Sequence, residues 1–131
     1  TIINSEIING ASSCIDIYDD LNHNISNNII KNCAQNGITV SHSAIATIAD
    51  NDYFTISNNN ISECGQYAIQ SYGQIVIENN RINHNFNGLD IEHNANMIQI
   101  IDNVFINNYG DQLLDINIDN HEYYGELNGN I

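Results

Sequence analysis

Fixed positive charge is almost missing from this sequence. Lys31 and Arg81 stand against 16 Asp and Glu, a net charge of −14. A protein that tracks a phosphate backbone needs a basic stripe, which two cations cannot build, so nucleic acid is excluded as a partner. Attraction to anionic lipid fails on the same ground. No apolar run approaches the ~20 residues of a membrane span, so membrane insertion is not expected. Proline and tryptophan are absent and leucine is scarce. Three cysteines are an odd count, which excludes a complete disulfide framework.

What remains is narrow in kind. Asn and Ile each make up about a fifth of the chain, far above ordinary usage. Ile is β-branched and suits pleated, buried strands. Asn tolerates left-handed turn geometry and bonds locally. A hydrophobic content of 42% argues against disorder.

The residues fall into a repeat. Ile25-Ser26-Asn27-Asn28-Ile29-Ile30 matches Ile56-Ser57-Asn58-Asn59-Asn60-Ile61, Ile77-Glu78-Asn79-Asn80-Arg81-Ile82 and Ile100-Ile101-Asp102-Asn103-Val104-Phe105. Ile2-Ile3-Asn4-Ser5-Glu6-Ile7 fits with Ser in place of Asn. The anchors Ser5, Asn28, Asn59, Asn80 and Asn103 are spaced 23, 31, 21 and 23. Each unit reads as three short period-2 strands, with no helical period. Such units bury a face only by stacking in parallel, about 4.8 Å apart. The anchors then form an amide ladder at a bend, and Ile7, Ile30, Ile61, Ile82 and Phe105 an apolar column beside it. Leucine-rich repeats share the period but need Leu and a helical return. Antiparallel hairpins would explain the Asn-Gly pairs, but those are irregularly spaced whereas the anchors align.

Stretches such as Ile56-Ser57-Asn58-Asn59-Asn60-Ile61-Ser62-Glu63-Cys64-Gly65 and Asn87-Gly88-Leu89-Asp90-Ile91-Glu92 resemble the right-handed parallel β-helix repeats of the pectate-lyase-like superfamily, over residues 1 to about 118. The expected fold is all-β, a right-handed parallel β-helix of about five turns in a single domain, 1–131. The resemblance implies a choice among lyases, hydrolases, epimerases, tailspikes, adhesins and non-catalytic repeats. The family's lyases set Arg or Lys near bound Ca²⁺, but Lys31 and Arg81 lie away from the third-strand face. The epimerase Asp-Pro-His cannot exist without proline, and the polygalacturonase paired-Asp and Gly-His-Gly motifs are missing.

Counting from the anchors places Asp16, Thr39, Gln70, Asp90 and Asp115 in one outward column of the third strands. Tyr18, Ser41, Tyr72, Glu92 and Asn117 fill the next. Asp90, Glu92 and Asp115 should converge within about 5–7 Å at backbone level. Two carboxylates are the minimum for glycoside hydrolysis, so these three are the candidate catalytic residues. With Asn117 they are equally a candidate Ca²⁺ site. A plain solvated acidic face is the third reading. His93, Asp119 and His121 follow at the strand ends. Tyr18 and Tyr72, with Asn117, are candidate glycan contacts, since exposed Tyr stacks on sugar rings. The extra length of the 31-residue unit, His42 to Asp52, should leave the coil beside this face as a groove wall. Cys33 and Cys64, each five residues after an anchor, should stack on adjacent turns, within the Cα range of a disulfide but more commonly as reduced thiols, leaving Cys14 without a partner.

These features favour a non-enzymatic extracellular scaffold: a surface, fibre or glycan-binding module with polysaccharide as the candidate partner. The alternative is a fragment of a polysaccharide hydrolase or lyase acting from the third-strand face. Thr1 stands where an initiator Met would, and Thr1-Ile2-Ile3 enters the repeat at once. The expectation is a longer chain, or copies stacked head to tail into filaments.

Overall fold

The computed structural model describes residues 1–18, 23–41, 54–92, 98–110, 114–117 and 125–128; for Glu92 and the last two stretches it describes the backbone alone. Among the described residues sixteen strands form three sheets, and every pairing within them is parallel. The first sheet runs Ile2–Ile3, Asn24–Ser26, Phe54–Ser57, Ile75–Glu78, Ile98–Ile101 and Gly125–Asn128. The second holds Glu6–Ile8, Ile29–Lys31, Asn60–Ser62, Arg81–Asn83 and Val104–Ile106. The third holds Ile15–Tyr18, Ile38–Ser41, Tyr67–Ser71, Asn87–Glu92 and Leu114–Asn117. Each strand pairs with its counterpart one unit away, so the chain winds as a solenoid. It makes about four turns of roughly 23 residues rather than five, because five anchors bound four intervals.

Ile occupies the inward positions because a stacked, pleated surface is where a β-branched side chain packs best. Ile25, Ile56, Ile77 and Ile100 line the core from the first sheet, and Ile38, Ile69 and Leu89 from the third. The apolar column of the second sheet is as expected: Ile30, Ile61 and Ile82 are fully buried, flanked by Ile7 and Phe105.

The bend between the first and second sheets carries the expected ladder. The residue before each anchor has positive φ: Asn4, Asn27, Asn58, Asn79 and Asp102, between 53° and 58°. Asn and Asp tolerate this region, which accounts for the Asn content locally. The left-handed step turns the next side chain inward. Asn28, Asn59, Asn80 and Asn103 are buried, and each carboxamide oxygen accepts from the preceding turn. Asn28 N–H and Nδ2 both donate to Asn59 Oδ1, at 2.9 and 3.0 Å. Asn59 repeats this with Asn80, and Asn80 with Asn103. The other amide hydrogen satisfies a backbone carbonyl, as in Asn59 Nδ2 to Ile25 O at 2.9 Å. Ser5, too short to continue the side-chain ladder, contributes its backbone N–H to Asn28 Oδ1.

A second bend, five residues further on, repeats the device with mixed chemistry. Asn9, Asn32, Glu63, His84 and Asn107 take positive φ there. Gly10, Cys33, Cys64, Asn85 and Asn108 follow them as the second column. Asn85 donates to Asn108 Oδ1 at 3.0 Å from its N–H and 3.1 Å from Nδ2, and Cys64 N–H donates to Asn85 Oδ1 at 3.1 Å.

Here the cysteine expectation is corrected. Cys33 and Cys64 do share a column, and Cys64 is a buried free thiol, but Cys33 is bonded to Cys14, with Cα atoms 5.4 Å apart. Cys14 lies outside the anchor-plus-five register, which is why counting gave it no partner. Gly10 supplies the room: a β-carbon there would stand 3.0 Å from Cys14 Sγ. The side chain of Cys14 therefore fills the top of a column whose own first member has none.

Candidate functional site

The outer face of the third sheet is held in register by Asp16 opposite Thr39, Thr39 opposite Gln70, and Gln70 opposite Asp90. The expected column is present over these four units. It is less open than a solvated face: Asp16 is exposed, but Thr39 and Asp90 are buried at 7% and 6%. Lateral hydrogen bonds explain the burial. Ser13 Oγ and Thr39 Oγ1 are 3.1 Å apart, and Asn36 Nδ2 donates to Thr39 Oγ1 at 3.1 Å and to Gln70 Oε1 at 2.9 Å. Gln70 Nε2 donates to Asp90 Oδ2 at 2.7 Å. Tyr67 N–H holds Asn36 Oδ1, fixing which way that amide faces. The result is a polar seam along the coil axis, ending on a carboxylate.

The backbone departs from the column beyond Asp90. Asp90 pairs with Leu114 and Ile91 with Ile116, so Asp115 is the extra residue of a bulge. A bulge re-aims its residue. Glu92 still pairs with Asn117. The side chains of Glu92, Asp115 and Asn117 lie outside the described residues, as do residues 42–53, His93, Asp119 and His121. Of the trio, only Asp90 has a described side chain. Among the described residues no group of three or more His, Cys, Asp or Glu is placed to hold a metal ion.

Beside the seam runs a groove of about 370 Å³. Its rim carries the two tyrosines singled out in the sequence. Tyr18 is 76% exposed and sits opposite Ser41; Tyr72 is half-buried and its N–H donates to Val40 O at 2.9 Å. Tyr18, Ser41 and Tyr72 therefore occupy three successive rungs, and two rungs set the tyrosines about 9.6 Å apart at backbone level. Asn36, Gln35, Gln66 and Ser12 also line the groove and were not singled out from the sequence. Asn36 reads there only as half of an Asn-Gly turn. Its place between two anchor-plus-eleven positions, beside Ser13 and Gln70, is visible only once the strands are stacked. Lys31 and Arg81 lie on the second sheet, and Lys31 is paired with Glu63 at 3.2 Å. No described residue lining the groove carries a fixed positive charge.

No helix among the described residues is long and apolar enough to cross a membrane. No curated protein and no solved structure matches the chain. A family model described as "Right handed beta helix region" matches residues 45–122, more than half of the sequence. With three parallel sheets wound as one coil, the chain belongs to the right-handed β-helix family.

Proposed function

We propose that this chain is a non-enzymatic scaffold of the cell surface or extracellular space, which holds an uncharged glycan against its third sheet. The groove carrying Tyr18 and Tyr72 supports this best. Two tyrosines on one side of a seam of amides and hydroxyls offer what a sugar chain uses: flat apolar faces to stack on, and groups that both donate and accept. The tyrosine separation is close to a disaccharide length, with the small Ser41 between them. Asp16 lines the groove and the chain carries −14, so a uronate or sulfated polymer would be repelled. The Cys14–Cys33 disulfide suits an oxidising compartment.

Affinity electrophoresis against a panel of neutral and acidic polysaccharides tests the reading, with reducing-sugar release measured on the same panel. The expected result is retardation by a neutral polymer, weakened about tenfold or more by Tyr18→Ala or Tyr72→Ala, with no release. Release that disappears in Asp90→Asn would instead establish the hydrolase or lyase reading built on Asp90, Glu92 and Asp115.

A further inference from the structure

The second bend brings three sulfur atoms into one column. Ala34 N–H donates to Gly10 O at 2.8 Å and Gly65 N–H to Cys33 O at 2.9 Å, so Gly10, Cys33 and Cys64 lie on three successive turns. Cys14 Sγ takes the space that a side chain at Gly10 would fill. The order along the axis is therefore Cys14, Cys33, Cys64. Cys33 is bonded upward to Cys14, and below it Cys64 carries a free thiol whose hydrogen is donated to Ser62 O at 3.5 Å. Adjacent turns of a parallel coil are about 4.8 Å apart, inside the Cα range that a disulfide spans, so Cys33 can bond in either direction without moving the backbone.

We propose that this column is a site of intramolecular thiol–disulfide exchange, in which Cys64 displaces Cys14 from Cys33. Thiolate attack on a disulfide is in line, with entering and leaving sulfurs on opposite sides of the central one. A vertical stack of sulfurs supplies that order. Cys64 gives its proton to solvent base and its Sγ attacks Cys33 Sγ. The Cys33–Cys64 bond forms as the Cys14–Cys33 bond breaks, and the electron pair leaves on Cys14 Sγ, which takes up a proton. One disulfide and one thiol are present before and after, so no oxidant or reductant is needed. The product frees the first unit from the second and ties the second to the third.

Burial and the neighbouring Glu63 carboxylate hold the Cys64 thiol protonated, at a pKa of about 12, against the opposing effect of a backbone hydrogen bond with Cys33. The exchange is thus slow at neutral pH and hastened by base. A hollow of about 420 Å³, lined by Cys33, Cys64, Phe86 and Tyr109, opens beside the two lower sulfurs and gives base its access.

The test is alkylation of the folded 131-residue chain with iodoacetamide at pH 7 and pH 10, acid quench, and non-reducing peptide mapping. The expected result is label on Cys14 together with a Cys33–Cys64 linked peptide. Both should appear at a rate independent of protein concentration and rising about tenfold per pH unit. In Cys64→Ser and in Cys64→Ala, a second variant in case the first misfolds, Cys14 should stay unlabelled and bonded to Cys33. Three results would overturn the proposal: a Cys14–Cys33 linkage unchanged at pH 10, label on Cys64 alone, or Cys14 labelled as fast without Cys64. Concentration-dependent exchange would overturn it too, by placing the reaction between molecules.

Discussion

The two bends of this coil solve one geometric problem with different materials. Both turn the chain through a left-handed residue and, after the first turn, bury the side chain that follows. The first bend uses Asn or Asp at all five left-handed positions and a buried Asn at four of the five positions that follow, the exposed Ser5 being the fifth. The second admits Glu63 and His84 at the left-handed positions, and its buried column passes from glycine through sulfur to amide. Only the amides can accept two hydrogen bonds and donate two. Where sulfur replaces them, a covalent bond links the turns instead. The left-handed step is thus the invariant part of the design, and the buried occupant is free to vary if something else holds adjacent turns together.

The largest effect expected from breaking this contrast is at the sulfur end. Cys14→Ser removes a cross-link between residues 19 apart and should lower stability by about 3 kcal/mol, as read by chemical denaturation. Reductant should give the same loss in the unaltered chain and none further in the double variant Cys14→Ser with Cys64→Ala, which has no second cysteine left for Cys33 to bond. At the amide end, Asn59→Ala leaves Asn28 N–H and Nδ2 without their acceptor and Ile25 O without its donor. The expected cost is about 2 kcal/mol. If Ala were tolerated at Asn28, Asn59 and Asn80 alike, the ladder would be ornament and the Ile columns alone would hold the coil. The smallest effect concerns Cys64. Its thiol ionises near 9 in the unfolded chain and about 12 in the folded one, so the unfolded state sheds its proton first. Its contribution is intact below pH 9 and falls as pH rises toward 12, by about 1 kcal/mol at pH 10. Melting measured at once after a jump to pH 10 should therefore separate the unaltered chain from Cys64→Ala less than melting at pH 7 does.

The same contrast decides how much the sequence reveals. The first bend repeats one residue type at one offset, so Asn28, Asn59, Asn80 and Asn103 can be found by eye, and the strands, sheets and Tyr18–Ser41–Tyr72 column follow by counting. The second bend has no shared residue type. Asn85 and Asn108 sit at the same offset as Cys33 and Cys64, but nothing in a single sequence says that amide and thiol play one part. Cys14 was invisible to counting because its partner is reached through the void left by Gly10, not through the register. The pairing at Asp115 escapes counting for a related reason: a bulge between Asp90 and Ile91 shifts the register by one, which no periodicity announces. The burial of Asp90 also escaped, since alternation tells which face a residue takes and not whether its neighbours close over it.

Both ladders share a direction. Every oxygen in them accepts from the preceding turn, from Asn28 to Asn103 and from Asn85 to Asn108, and Nδ2 of Asn28, Asn59, Asn80 and Asn85 donates to the next. Backbone bonds in the parallel sheets run both ways along the axis, as in Asn27 N–H to Ser57 O and Ile29 N–H to Ser5 O. The buried amides are not cancelled in this way. Their dipoles add, each polarising the next, so the coil carries an internal vector with its positive end toward the later turns. A turn inserted upside down would set carboxamide oxygen against carboxamide oxygen in a space without water. The amide columns therefore act as a compass as well as a clamp: they accept a new turn in one orientation and refuse it in the other.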